Sequence, residues 1–326
     1  MQNEFQASIT EYNEAIFHKP DDADLFLGRG TNYLYLGQNQ RAIADFTETI
    51  RLNPDCPEAY QYRSIAYASL GQVEAAITDL TEEIGLKPDN ADAYVVRGMC
   101  YSNLEQYERA ILDFGAAIDL RRHDARTYYW RGHAYNKLGQ NERAIPDFDA
   151  AIHLDPDDAV AHYARGIAFR DLQQYDRALQ DFDAAIRLKP DDANAYHNRG
   201  WAYSNLTQYE RAVADYTEAI RLKSDDALLY YSRGISFSTL KQYERAILDL
   251  DETIRLKPDD ALAYRGRGYA HHKLGQREGA IADYTEAIRL DPHYADTYHN
   301  RGLAYDNLEE HERARADFDM AKRLKS

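Results

Sequence analysis

The chain repeats itself every 34 residues, and that period limits its fold more than any other property of the sequence. Prolines stand at Pro20, Pro54, Pro88, Pro156, Pro190, Pro258 and Pro292, spaced by 34 or 68, with Arg122 and Ser224 in the skipped slots. When each repeat is numbered from Ala23, glycine holds position 8 in eight of nine copies, Gly30 to Gly302, and Ser64 is the exception. Alanine holds position 20 in all nine, from Ala42 to Ala314. Such a chain is one supersecondary motif copied many times, each copy burying its apolar face on the next.

Within a repeat, apolar and small residues at positions 4, 8, 11 and 14 make one helical stripe, and those at 17, 20, 21, 24, 27, 28 and 30 make a second. The break at positions 15 and 16 is often Gly-Gln, as at Gly71-Gln72 and Gly139-Gln140, which fits a tight interhelical turn. Between repeats, the Lys-Pro-Asp-Asp-Ala run ends one helix and starts another. Lysine suits the negative helix end, proline halts the helix, and aspartate caps its successor. The pattern predicts one all-α solenoid over 1–326: a half repeat at 4–22 with only a second helix, then nine full repeats over 23–326. In the last repeat Arg315 and Lys322 replace the apolar residues of positions 21 and 28, so that repeat is expected to act as a C-terminal cap ending the stack at Ser326. In the half repeat, Phe5, Tyr12 and Ala15 are expected to face the place of an absent first helix. Either sequence upstream has been removed, or that face packs on something else, another copy of the chain included. Pro146, inside a second helix, is expected to cost a backbone hydrogen bond and bend that helix.

The period, the aromatic at position 4, glycine at 8, an aromatic at 11, alanine at 20, an aromatic at 24, alanine at 27 and proline at 32 together resemble the tetratricopeptide repeat. The resemblance covers Glu4 to Leu324 and implies a right-handed superhelical solenoid of antiparallel helix pairs, with first helices lining a concave surface where partner segments lie. One departure is uniform. Position 7, usually leucine in that family, is arginine in all nine copies, Arg29 to Arg301, and position 23 is aspartate in all nine, Asp45 to Asp317. With a turn at position 15, antiparallel helices bring positions summing to about 30 to one height. Each arginine is therefore predicted to pair with the aspartate of its own repeat, the preceding repeat's aspartate being the competitor.

Composition narrows the function. With 39 basic and 55 acidic residues the formal charge is −16, adverse to a polyphosphate backbone, so no nucleic-acid partner is expected. There is no apolar run of membrane-spanning length and no basic-then-apolar leader, which reads as a cytoplasmic chain. Two cysteines, Cys56 and Cys100, give no disulfide framework, and Cys100 falls at a packing position. Gly28-Arg29-Gly30 and Gly266-Arg267-Gly268 begin a nucleotide-loop pattern, but neither completes it or follows a strand. His271 and His272 diverge by about 100° around a helix and cannot chelate one ion together. No catalytic motif, metal set or cofactor site is expected, and the chain reads as a non-enzyme.

Binding is then the expectation. Comparing the repeats with one another, packing positions barely change, whereas positions 2, 5, 9, 12 and 13 vary freely and share one face of the first helix. Early repeats place Asp24, Glu58 and Asp92 there. Later ones supply Arg126, Tyr129, His133, Asn136 and Lys137, then Tyr163 and Arg170, then His197, Trp201 and Asn205, then Tyr231, and finally Arg265, Tyr269, His272 and Lys273. Aromatics and arginine are enriched at binding hot spots, and asparagine can bond both N–H and C=O of a peptide. These residues predict a groove for a protein or peptide segment, with an acidic one favoured by local basic charge. The tail clamp of some family members uses lysine at position 5 with asparagine at 9, and no repeat here carries that pair. Two other classes of function stand beside the scaffold: a self-assembling solenoid joined through the N-terminal half repeat, and a regulatory arm of a larger enzyme complex.

Overall fold

The computed structural model describes residues 2–325, and nineteen α-helices account for most of them. The helices fall into two compact units that divide between Asp157 and Asp158. In the first unit α1 (Gln2–His18) stands alone and is followed by four hairpins: α2 (Ala23–Tyr35) with α3 (Asn39–Leu52), α4 (Pro57–Ser69) with α5 (Val73–Leu86), α6 (Ala91–Asn103) with α7 (Tyr107–Leu120), and α8 (Ala125–Lys137) with α9 (Asn141–Leu154). The second unit has five: α10 (Ala159–Asp171) with α11 (Tyr175–Leu188), α12 (Ala193–Asn205) with α13 (Tyr209–Leu222), α14 (Ala227–Thr239) with α15 (Tyr243–Leu256), α16 (Ala261–Lys273) with α17 (Arg277–Leu290), and α18 (Ala295–Asp306) with α19 (His311–Lys325). Among the described residues there is no strand.

Local chemistry sets the boundaries. Asp22, Asn90, Asp124, Asp158, Asp192, Asp226 and Asp260 each accept a hydrogen bond from the backbone N–H two residues on, capping a first helix as the junction sequence predicts. Cys56 and Tyr294 occupy the same slot without a side-chain cap. Every turn within a hairpin passes through a left-handed residue at position 15, with φ between 57° and 75°. Four of these residues are glycine, whereas Glu105, Gln173, Thr207, Lys241 and Glu309 adopt the same conformation with a Cβ. Pro146 leaves α9 unbroken and is exposed, so its ring lies on the solvent side of the helix.

Packing within a hairpin centres on position 8. A Cβ on Gly98, Gly132, Gly166 or Gly200 would come within 2.8–2.9 Å of the Phe114, Phe148, Phe182 or Tyr216 ring. In these four repeats the aromatic at position 24 therefore packs on bare backbone and is buried. Ser64, the one substitution, falls in a repeat whose position 24 is Leu80 rather than an aromatic, and both are buried. Between hairpins, the position-28 isoleucines reach the next first helix: Ile84 joins Ala93, Ile186 joins Ala195 and Ile220 joins Leu229. Arg315 and Lys322 are exposed on α19; Ser326, the expected end of the stack, lies outside the described residues. At the other end, Phe5 stacks on Tyr35, 5.3 Å between centroids, and Tyr12 lays its ring on Gly28. Both therefore meet α2, the following helix, rather than standing open toward an absent partner.

All nine arginine–aspartate pairs form within their own repeat. Nη2 meets Oδ1 at 2.6–2.8 Å, from Arg29–Asp45 through Arg301–Asp317. Nε meets Oδ2 alongside, giving a parallel two-bond fork. The preceding repeat contributes a different acceptor from the one expected. Nη1 of Arg63, Arg97, Arg233 and Arg301 donates to the position-25 hydroxyl of Thr47, Thr81, Thr217 and Thr285, and Arg199 and Arg267 reach Asp183 and Asp251. Each such arginine thus ties three helices together. With the aspartates nearly buried, removing one partner strands a charge and costs about 3 kcal/mol.

Candidate functional site

Within each unit consecutive first helices approach one another, α2 to α4 and α6 to α8 in the first, α10 through α18 in the second. Residues three and four apart share a helix face, so the variable positions gather on this side.

In the second unit they line two cavities. One, of about 550 Å³, has Arg170, Trp201 and His197 on its walls and Tyr216 and Ile235 among its apolar residues. The other, of about 510 Å³, is bounded by Tyr243, Arg265, Tyr269 and Tyr294. Both sizes suit a side chain or short segment. Tyr231, Ile235 and Thr239 of α14 belong to both, so the cavities adjoin across one helix.

Arg170 organises the first cavity. Its Nη1 donates to Asn198 Oδ1, its Nε and Nη2 both donate to Asp171 Oδ1 at 2.9 and 2.6 Å, and its guanidinium lies over the Trp201 indole, 5.6 Å from the centroid. Asn198 is buried and in turn donates to the Tyr163 hydroxyl at 3.0 Å and to the Asn194 carbonyl at 2.9 Å. Tyr163 is thereby linked to the cavity through Asn198 and packs on Phe182. Trp201 is 37 % exposed, its edge against Tyr175, and Asn205 donates back to the Trp201 carbonyl. His197 Nε2 stands 3.4 Å from Ser232 Oγ. Burial holds the His197 imidazole below its ordinary range, against the opposing pull of Asp226. Burial also pushes the phenol of Tyr216 up to about 12. Near neutral pH both groups therefore present uncharged rings to the cavity.

In the second cavity the Arg265 guanidinium lies 3.8 Å from the Tyr294 centroid, and Tyr269 meets Tyr243 edge-on at 6.4 Å. Lys273 is exposed, its ammonium 5.2 Å from the Tyr269 centroid, and lies outside the lining, as does half-buried His272. Desolvation, then Lys273, holds the His272 imidazole down. The local basic charge is moderated: Asp171 already meets Arg170, and Asp296, itself 2.8 Å from Lys325, lines the second cavity.

The α8 residues form a separate group in the first unit. Tyr129 stacks on His133 at 6.1 Å and touches the Trp130 and Phe148 rings, while Asn136 donates to Asn141 Oδ1 at 2.7 Å. Asn136 is therefore committed inside its own hairpin, and Arg126 and Lys137 are exposed. Cys100 is buried, and desolvation pushes its thiol up. Among the described residues no helix is long and apolar enough to cross a membrane.

Family models described as tetratricopeptide repeat match residues 27–91, 64–125, 97–159, 131–193 and 163–227, and another matches 295–326. One described as TPR repeat matches 237–275 and 268–308. The chain belongs to the tetratricopeptide repeat family. It is, in the general sense of that family, a protein-interaction scaffold. Solved tetratricopeptide repeat structures resemble it in fold. YrrB, described as a TPR protein with an unusual peptide-binding site, is 26 % identical over 58 % of this chain and 97 % of its own, with a TM-score of 0.52. A protein from Parabacteroides merdae is 20 % identical over 76 % of this chain and 98 % of its own, at 0.57. The C-terminal part of one from Cytophaga hutchinsonii is 19 % identical over 74 % and 98 %, at 0.62. No curated protein matches the chain.

Several lining residues lie outside the five variable positions of the repeat. Asn198, Ser232, Gly266 and Asn300 are all position 6. That position is four residues past 2 and three before 9, so helical geometry alone places it at the edge of the same face. Tyr294 is the capping position of α18, where seven other repeats carry a capping Asp or Asn. Its departure from the pattern was the available signal.

Proposed function

We propose that the chain is a scaffold that holds an extended segment of a partner protein across the two adjoining cavities of the second unit, with an acidic side chain of that segment directed at Arg170 or Arg265. The observation that carries this reading is the wall shared through Tyr231, Ile235 and Thr239, which makes two aromatic-and-arginine cavities one continuous surface. Rigid rings and a fixed guanidinium bind with little loss of side-chain freedom, and the Asn198 bonds hold Arg170 in place before any partner arrives. The peptide-binding site for which YrrB is described supports the same kind of occupant. The α8 group, with Tyr129, His133, Arg126 and Lys137, is proposed as a further contact in its own unit.

Affinity capture followed by mass spectrometry tests the reading. The Arg170→Ala, Trp201→Ala double variant is expected to lose the partners that the unaltered chain retains, at unchanged helicity by circular dichroism. Undiminished capture by the double variant would remove the second-unit cavities as the binding surface.

A further inference from the structure

Arginine–aspartate contacts in this chain differ in how many carboxylate oxygens they engage, and that difference assigns a role to Asp171. In the repeated pairs, such as Arg199 with Asp215, Nε meets Oδ2 at 2.9 Å and Nη2 meets Oδ1 at 2.6 Å, so two donors find two oxygens. The aspartate side chain there is 7 % exposed. Arg170 instead directs Nε and Nη2 at a single oxygen, Asp171 Oδ1, and the Asp171 side chain is 36 % exposed at the cavity rim. The two residues are neighbours in sequence at the end of α10, and both bonds go to the one oxygen.

We propose that Asp171 is an internal stand-in for a carboxylate of the bound peptide, and that it sets the selectivity of the first cavity by competing for Arg170. This rests on the peptide-scaffold reading above. The guanidinium is already positioned from two other sides, by Asn198 Oδ1 on Nη1 and by the Trp201 ring beneath it, so it does not depend on Asp171 for its place. A glutamate or aspartate side chain entering the cavity can meet Nε and Nη2 with two oxygens, the stronger parallel arrangement that the chain uses elsewhere. Exposed ion pairs contribute little, so displacing Asp171 is inexpensive. A neutral side chain gains nothing by displacing it. Asp171 thereby tempers the pull of Arg170 on acidic segments and leaves the arginine satisfied when none is present, which avoids an uncompensated charge beside an apolar cavity.

The test uses the full chain and a random dodecapeptide display library, followed by titration of the best-recovered peptide and of its counterpart with each Asp and Glu changed to the amide. Recovered peptides are expected to share an acidic position. Asp171→Asn is expected to tighten the acidic peptide by about five-fold while changing the amide counterpart by less than about two-fold, and Arg170→Gln to erase the preference between them. A ratio of acidic to amide affinity that is the same in Asp171→Asn as in the unaltered chain overturns the role of Asp171. Peptides recovered without a shared acidic position overturn it too, but leave the scaffold reading standing if Trp201→Ala weakens them. Recovery of no peptide, or of peptides indifferent to both Trp201→Ala and Arg170→Gln, overturns both. Asp171 lies on the surface, and a circular dichroism spectrum of Asp171→Asn matching the parent confirms that the comparison is between folded proteins.

Discussion

Single residues decide how closely two helices approach. At Gly200 a Cβ would sit 2.9 Å from the Tyr216 ring, which has no room to retreat, whereas at Gly234 it would sit 3.2 Å from Leu250 Cγ. Overpacking a full core costs about 1–3 kcal/mol, and alanine regains about 1 kcal/mol of helix propensity over glycine. Gly200→Ala is therefore expected to lower the urea midpoint clearly, and Gly234→Ala to leave it nearly unchanged. Equal effects would show that the ring is not the constraint. Glu83 is a second such residue. It fills position 27, usually alanine, where Asn90 Nδ2 donates to Oε1 at 2.6 Å and Oε2 is buried without a partner among the described residues. Burial pushes its carboxyl up to about 7, with the Asn90 bond opposing. A raised folded value means that the folded state holds a proton the unfolded chain releases. The contribution is fully present below the ordinary glutamate range and is lost as pH rises through about 7. Glu83→Gln is expected to be more stable than the parent at pH 8 by about 2 kcal/mol and to match it at pH 4, read from denaturation midpoints at each pH.

Helices and turns follow chemistry that is visible before folding. Capping by Asp or Asn, the apolar stripes and the Arg–Asp pairs were all legible, because nine copies of one motif serve as their own comparison: what packing requires stays fixed, and what faces outward drifts. The variable face of the first helices was legible on the same ground, and so were Arg170, Trp201 and Tyr231, which line the cavities. Position 6 was not, because Asn198 and Ser232 sit where the seam between neighbouring hairpins and the open face meet, and the sequence alone does not say which side claims them. Nor was the Arg170–Asp171 contact, since residues adjacent in a helix point apart and only side-chain rotation joins them. The turns carry a prediction of their own. Gln173 and Lys241 hold φ of 59° and 60° with a Cβ, a conformation costing about 1–2 kcal/mol for most side chains and little for glycine. Gln173→Gly and Lys241→Gly are each expected to raise the unfolding free energy read from urea melts by about 1 kcal/mol, and Gly71→Ala to lower it by a similar amount. Glycine variants that destabilise these turns would mean that the side chains themselves hold them.

At the largest scale, the stability of each unit is expected to be close to a sum of hairpin terms and nearest-neighbour terms, since within a unit each hairpin touches mainly its neighbours in sequence. The arginine at position 7 supplies part of the neighbour term by reaching back to the previous second helix. Arg131 has glycine behind it, and a Cβ on Gly115 would lie 3.8 Å from its Nη1. The bond that Thr47, Thr81, Thr217 and Thr285 accept is therefore absent there. Gly115→Thr is expected to supply it and to stabilise the first unit by about 1 kcal/mol, read by thermal and urea melts; no gain would mean that the back-reaching bond is ornamental to stability.

The gap behind Arg131 has a consequence for how a perturbation spreads. A row of clasps with one left undone does not open evenly: disturbance entering from either side is handed on through each fastened link and dies out at the loose one. Amide protection in α6 and α7 and in α8 and α9 would then rise and fall as two separate blocks, with Gly115 as the seam along which the first unit comes undone.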